Sequence, residues 1–235
     1  MAFSAILLVI ATGLLWALAV RLYTKEWYAA SRIILCVLGF YWIMAATWVE
    51  ALLNIWYPDA SWLAPPKFEQ DTRPGHYEPW CDVSLVVKCS TVVLSPWDRL
   101  LQFYGLSEFG GALDFANTFF GFPFYLLHVV VALMGLAQRN EKKPQYHYHY
   151  GRYEEDQSCD CISLHRIMST TTAIVCILDV YHALRVCFVI KVVSIIHWGI
   201  YLVNFALLPV SLKELKDWEK EDPTKKKVKE VKDEK

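Results

Sequence analysis

The chain has 235 residues, of which 55% are hydrophobic and 15% aromatic, and its 23 basic and 24 acidic residues leave a net charge of -1. This apolar composition excludes an ordinary soluble globular protein and indicates a chain embedded in membrane lipid. The balanced charge offers no excess of basic residues to neutralise a phosphate backbone, so it excludes nucleic acid as a partner.

Five apolar segments approach the length of about 20 residues that a helix needs to cross a bilayer. Four of them have almost no charged residues, and they cover residues 1–20, 33–49, 115–138 and 192–212. The fifth, residues 167–187, contains Asp179 and Arg185, so it is expected to lie inside a helix bundle and to face other helices rather than lipid. The pattern predicts an all-α integral membrane protein.

The first apolar segment has two interpretations. It is either a retained transmembrane helix over residues 1–24 or a signal peptide cleaved near the small residues Ala17 and Ala19. Because it lacks a basic start and its apolar run is longer than that of a usual signal peptide, a retained helix is favoured.

The distribution of basic residues predicts the orientation of the spans. Lysines and arginines concentrate in the loop 21–32, in the loop 139–166 and in the charged tail 215–235. By the positive-inside rule these three segments face the cytosol. The long segment 57–114 then lies on the opposite, oxidising side.

Two cysteines on that oxidising side, Cys81 and Cys89, are separated by seven residues. Their spacing is compatible with a disulfide that opens and closes during electron transfer, and equally with a static structural disulfide. Spacing alone leaves both interpretations open.

The surrounding motifs resemble the vitamin K epoxide reductase family. The cysteine pair in CDVSLVVKCS is followed by a serine at 95 and a tryptophan at 97, and Asn117 opens the next helix in NTFFGFPFY. The similarity extends over about residues 32–214, from RIILCVLGFYWIMAATWVEA to YLVNFALL, and leaves residues 1–24 outside it. The resemblance implies a four-helix bundle in the endoplasmic reticulum membrane, here with one extra N-terminal helix.

The resemblance also implies roles for individual residues. Cys81 and Cys89 match the pair that relays electrons from a luminal thiol–disulfide partner protein, while Asn117 and Tyr201 match the residues that hydrogen-bond the two oxygens of a quinone. The quinone would be a substrate or ligand resembling vitamin K, and no tightly bound cofactor is expected. Phe120 and Phe124, with neighbouring aromatic residues, are suited to line a slot for a flat ring and equally suited to plain helix packing.

The sequence departs from the family at the catalytic C-x-x-C motif, where it reads Ser194 and His197. A serine hydroxyl cannot form a mixed disulfide, so the usual electron route is broken. His197 remains able to donate a proton or a hydrogen bond to a quinone, or it is simply a polar residue satisfied by a neighbouring helix. A further alternative is that Cys187 replaces the missing catalytic thiol. The competing interpretation is that Cys187 only packs against neighbouring residues.

Two other polar features have functional and structural interpretations. The loop 139–166 contains His147, His149, Cys159 and Cys161, which are possible zinc or copper ligands, but their spacing is unlike that of known fingers and no metal site is predicted. Asp179 is expected to form an ion pair with a nearby cation rather than to relay protons, and the candidates are Arg185, Lys191 and His182.

The sequence therefore predicts a multi-pass membrane protein of the endoplasmic reticulum with two possible functions. The first is a thiol/quinone oxidoreductase with catalytic residues Cys81, Cys89, Ser194 and His197. The alternative is a catalytically silent member that binds a quinone-like lipid or a membrane partner and keeps the disulfide for its shape.

Overall fold

The computed structural model describes residues 2–56, 79–84, 86–93, 117–141 and 158–221. These residues form six α-helices and one π-helical turn, in the following order. The helices are α1 (Ala2–Thr24), α2 (Tyr28–Trp56), the short α3 (Cys89–Val93), α4 (Asn117–Glu141), α5 (Ser158–Arg185), the π-helical turn Val186–Ile190 and α6 (Ile195–Glu221).

Four of these helices are long and apolar enough to cross a membrane, and they contain the segments Tyr28–Leu53, Phe120–Gln138, Ile162–Ile190 and Ile195–Lys220. Helix α1 adds the shorter apolar segment Val9–Thr24. Long continuous helices form here because backbone groups in lipid must find their hydrogen bonds within the segment. The predicted all-α fold of four core helices and one N-terminal helix is confirmed.

Helix α2 is the centre of the bundle and packs against α1, α4 and α6. Glycines allow these close approaches: a Cβ atom at Gly39 would lie 2.4 Å from the Tyr125 ring, and one at Gly199 would lie 2.4 Å from the Trp42 ring. Small residues at helix interfaces let membrane helices approach closely in this way. The resulting core includes Leu38, and it extends to the disulfide loop at one end.

Two ion pairs place Arg32, Arg166 and Glu219, one described residue from each of the three basic segments, at one end of the bundle. Arg32 at the start of α2 pairs with Glu214 of α6 at 3.1 Å, and Arg166 near the start of α5 pairs with Glu219 at 2.8 Å. We call this the basic end. Residues 81–84 and 86–93 and the segment that precedes α6 form the opposite, disulfide end. The grouping of the complete loops on two sides and the assignment of the basic end to the cytosol stay predictions.

The position of α5 differs from its prediction as an interior span. It is the least buried of the four spanning helices, since only 11% of its most apolar 18-residue stretch is buried. Only one stripe of α5, which includes Asp179, faces the bundle, while apolar side chains such as Ile174 and Ile177 are exposed. The polar side chains on this stripe are thereby kept out of lipid. The remainder of the helix can face the bilayer.

The start of the charged tail belongs to the last helix of the bundle. Helix α6 continues to Glu221, and Glu214 and Trp218 are buried at 1% and 2% exposure. Glu214 pairs with Arg32, and the Trp218 ring stacks on His165 with 5.6 Å between the ring centroids. These contacts attach the beginning of the tail to the bundle.

Candidate functional site at the disulfide end

The predicted cysteine pair forms a disulfide between Cys81 and Cys89, with 5.7 Å between the Cα atoms. Both cysteines are completely buried. Asp82 fixes the loop from the inside, since its carboxylate accepts hydrogen bonds from the Ser90 backbone N–H, at 3.0 Å, and from the Ser90 hydroxyl. Asp82 thus acts as a cap for the first turn of α3, although it is distant in sequence.

The disulfide loop is hydrogen-bonded to the residues that lead into α6. Val87 and Val193 form a parallel β-bridge, in which the Val193 N–H donates to Val86 at 2.7 Å and the Lys88 N–H donates to Val193 at 3.1 Å. Because Val193 directly precedes Ser194, these bonds hold the loop beside the mouth of the last helix. The sequence analysis did not predict this contact, since an isolated bridge has no periodic signal.

Ser194 directly precedes α6 and His197 lies in its first turn, and the two are hydrogen-bonded to each other, with 2.7 Å between Ser194 Oγ and His197 Nδ1. Both residues are buried. The three-residue spacing puts the two side chains on one face of the helix, as it does for the two cysteines of a C-x-x-C motif. The pair can exchange a proton between its members but cannot form a disulfide.

Tyr201 and His182 lie directly below this pair. Tyr201 shares a hydrogen bond with His182 Nδ1, and the His182 and His197 rings have their centroids 5.5 Å apart. The structure therefore brings the predicted residues Ser194, His197 and Tyr201 together and adds His182 from α5. His182 was predicted only as a partner for Asp179.

A second hydrogen-bond network lies one layer deeper. The Tyr125 hydroxyl donates to Asn204 Oδ1 at 2.7 Å, and Asn204 Nδ2 donates to Asp179 Oδ2 at 2.7 Å. The sequence analysis missed Asn204, although a lone amide within the apolar run YLVNFALL was a signal for an interior hydrogen bond.

The predicted ion pair of Asp179 is wrong. The partner of its carboxylate is the Asn204 amide, whereas the Arg185 guanidinium lies over the Tyr181 ring at 5.0 Å. Arg185 follows Asp179 by six residues, so on an α-helix the two side chains point in different directions. An amide satisfies the carboxylate without placing a second charge in the membrane.

The remaining quinone-site residues are only partly described. Asn117 is the first residue of α4, as the resemblance implied, and its side chain lies outside the described residues. Phe124 packs edge-on against His128 with 4.7 Å between the ring centroids, whereas Phe120 is 41% exposed. Their predicted contact with a quinone stays a prediction.

The possible metal ligands are placed as follows. His147 and His149 lie outside the described residues, as do the side chains of Cys159 and Cys161. Within the described part of the chain, Cys81, Asp82 and Cys89 have candidate ligand atoms within 4.8 Å of one another. Their sulfurs are bonded to each other and the Asp82 carboxylate accepts two hydrogen bonds from Ser90, so this cluster is organised as a disulfide loop.

The fold and the site together define a polytopic helical membrane protein with a disulfide loop held at the mouth of its last helix. A family model described as vitamin K epoxide reductase family matches residues 30–212, which is most of the chain. The chain belongs to this family, as its motifs predicted. No curated protein matches the sequence significantly. Helix α1 and the last turns of α6 lie outside the family match.

Proposed function

We propose that this protein is a thiol/quinone oxidoreductase of the endoplasmic reticulum membrane in which Cys81 and Cys89 are the redox centre. The observation that supports this most directly is the docking of the disulfide loop beside Ser194, through the bridge between Val87 and Val193. This bridge holds the loop at the helix turn where the family has its second cysteine pair. With no thiol at Ser194 or His197, electrons would pass from the loop pair to the quinone directly.

The reaction is a two-electron exchange. In its reduced form the protein would carry two thiols, at Cys81 and Cys89, and a quinone would accept two electrons and two protons to become a hydroquinone while the disulfide re-forms. A luminal partner protein with a dithiol would then reduce the disulfide through a mixed disulfide. His197 would donate a proton to a quinone oxygen, and Ser194 would orient the imidazole through its 2.7 Å hydrogen bond.

A turnover assay tests this proposal. Purified protein in lipid nanodiscs is mixed with a dithiol reductant and a soluble naphthoquinone, and hydroquinone formation is measured. The expected result is turnover that a Cys81→Ala/Cys89→Ala variant loses, while Cys187→Ala retains it and so excludes the substitute thiol. Equal rates for the wild type and the double variant would exclude the loop pair as the redox centre.

The second candidate is a catalytically silent family member that binds a quinone-like lipid or a membrane partner. Two observations favour it: both loop sulfurs are buried at 0% exposure, and Ser194 and His197 are hydrogen-bonded to each other. In this case the disulfide holds the loop in shape. Saturable binding of the naphthoquinone without turnover, unchanged by Ser194→Ala, would support this candidate over the oxidoreductase.

A further inference from the structure

One face of α5 carries a polar residue at every turn, from one end of the membrane bundle to the other. Successive members are three or four residues apart, which is the spacing of one helix face. We call these residues the polar file, and they are His165, Ser169, Thr172, Cys176, Asp179 and His182. Polar residues inside a bilayer are costly, so an unbroken series of them calls for a reason beyond packing.

At every level except that of Ser169, a polar group from a neighbouring helix continues the file. Near the basic end, His165 stacks on Trp218, and a Cβ atom at Gly135 would lie 3.5 Å from His165 Nε2 and 3.7 Å from Glu214 Oε1. The imidazole and the Glu214 carboxylate therefore approach the same point on α4. Glu214 in turn pairs with Arg32, which lies at the basic end. The series of titratable groups along the file therefore starts at this end of the bundle.

In the middle of the membrane the file continues through His128 of α4. The Thr172 hydroxyl donates to the Met168 carbonyl at 2.6 Å and lies 3.0 Å from His128 Nε2. Since the hydroxyl proton is used, Nε2–H is the donor to Thr172, and the Nδ1 atom of a neutral His128 is an acceptor. Among the described residues, His128 Nδ1 and Ser169 Oγ have no hydrogen-bond partner although both are buried. Buried polar atoms of this kind are commonly satisfied by water.

Towards the disulfide end the file joins the candidate redox site. The Cys176 thiol donates to the Asn204 carbonyl at 3.4 Å, and Asp179 accepts from the Asn204 amide at 2.7 Å. His182, the last member of the file, has its ring centroid 5.5 Å from that of His197, which is bonded to Ser194. Titratable groups thus recur along the whole bundle, at His165, His128, Asp179 and His197.

We propose that the polar file conducts protons across the membrane between the basic end and the Ser194–His197 pair. A proton taken up at His165 or Glu214 passes through water to His128 and Thr172, then to Asp179 and His197. His197 releases it to the solvent at the disulfide end, so every carrier returns to its starting protonation state. One proton is moved and no electron is transferred. This activity goes beyond the proposed oxidoreductase, and it requires neither a quinone nor a thiol.

Proton flux into liposomes tests the proposal directly. The full chain is reconstituted into vesicles that contain a pH-sensitive dye, and a potassium gradient with valinomycin drives proton entry without quinone or reductant. The wild type should admit protons faster than protein-free vesicles. Thr172→Val should lower the protein-dependent rate at least about 10-fold, as expected when one positioned proton carrier is lost.

The matched control is Thr171→Val, because the Thr171 hydroxyl is on the exposed side of α5 and donates only to the Ile167 carbonyl, at 2.9 Å. This variant should conduct like the wild type. Asp179→Asn keeps an oxygen that accepts from Asn204, but this side chain does not titrate, so the variant should also conduct protons poorly. If Thr172→Val fails to fold, Asp179→Asn tests the proposal in its place. A wild-type rate equal to that of protein-free vesicles, or equal rates for Asp179→Asn, Thr171→Val and the wild type, would overturn the proposal. Neither result bears on the turnover assay.

Discussion

Val193 donates its backbone N–H to the Val86 carbonyl at 2.7 Å, so a loop from the middle of the chain is attached to the entry of the last helix. The bond involves no side chain, and it therefore persists whichever residues follow at Ser194 and His197. The loop and the helix mouth are one structural unit even though the second cysteine pair of the family is missing from it.

This relationship predicts a gain of function. Ser194→Cys with His197→Cys places two thiols on the helix turn that the loop contacts, and we expect quinone reduction to increase by about 10-fold or more, since the new thiols are already positioned for exchange with the loop disulfide. Turnover with the dithiol reductant measures it. Ser194→Ala/His197→Ala is the control for simple disruption, and a double cysteine variant that binds the quinone without any gain would contradict the prediction.

Asp82 is expected to control how easily the loop disulfide is reduced. Asp82→Ala removes the acceptor for both hydrogen bonds from Ser90, which should cost about 1 kcal/mol of local stability, as for loss of a helix cap. The disulfide should then open about fivefold more readily, which is the population change that corresponds to this free energy. Alkylation of the thiols after graded reductant measures this opening. Val83→Ala, at an exposed neighbour, should leave it unchanged.

The buried pair between Arg32 and Glu214 should dominate the stability of the basic end. Both side chains are at most 1% exposed, so Glu214→Gln leaves a buried charge without its partner and should cost about 3–5 kcal/mol of unfolding free energy. Unfolding of the purified protein by denaturing detergent, followed by tryptophan fluorescence, provides the measurement.

The exposed pair at the same end supplies the comparison for this experiment. Glu219→Gln breaks the contact with Arg166, which is 55% exposed at its side chain, and it should cost less than about 1 kcal/mol. Equal losses for Glu214→Gln and Glu219→Gln would show that burial of the Arg32 pair does not matter.

Gly199 is expected to tolerate no side chain. Its Cβ position is 2.4 Å from the Trp42 ring, so Gly199→Ala must displace the indole, and overpacking of this kind typically costs about 1–3 kcal/mol. Trp42→Leu in the same chain should recover part of the loss. Gly13→Ala, where no atom lies within 4 Å, should be neutral or stabilising by roughly 0.5 kcal/mol, because alanine favours helix.

Cys187 offers a test of orientation. It is half-buried, whereas Cys36 and Cys176 are buried, and it lies in the π-helical turn at the disulfide end. In a Cys159→Ser/Cys161→Ser background, which removes the two cysteines of the loop predicted to face the cytosol, a membrane-impermeant maleimide should therefore label Cys187 in microsomes only after the lumen is opened. A further Cys187→Ser change should remove that signal. Labelling of Cys187 in sealed microsomes would reverse the predicted orientation.

The fold was predictable from sequence because lipid imposes a strong rule on helix length and charge. The apolar run 33–49 became α2 with both ends longer, and the run 192–212 became α6, which starts at Ile195 and extends further at its C-terminal end, since polar residues beyond the hydrocarbon region continue the helices. Rotation of a helix about its axis was harder to predict. Asp179 had three plausible cations nearby in sequence, but its actual partner, Asn204, comes from another helix.

The candidate site was predictable where covalent chemistry marks it and unpredictable where it depends on contacts between distant segments. The cysteine spacing and the serine and histidine at the helix mouth were visible in the sequence. The bridge between Val87 and Val193 and the proximity of His182 to Tyr201 arise only when separate segments pack together. Neither contact leaves a local pattern.

Helix α1 lies outside the part of the chain that the family model matches, yet the Ser31 hydroxyl of α2 donates to the Ala19 carbonyl of α1 at 2.9 Å. Without α1 this hydroxyl and the small side chains beside it would face acyl chains. The additional helix therefore gives α2 a neighbour beside Ser31, so its own chain covers this part of the central helix, while Met44 and Trp48 further along α2 stay exposed.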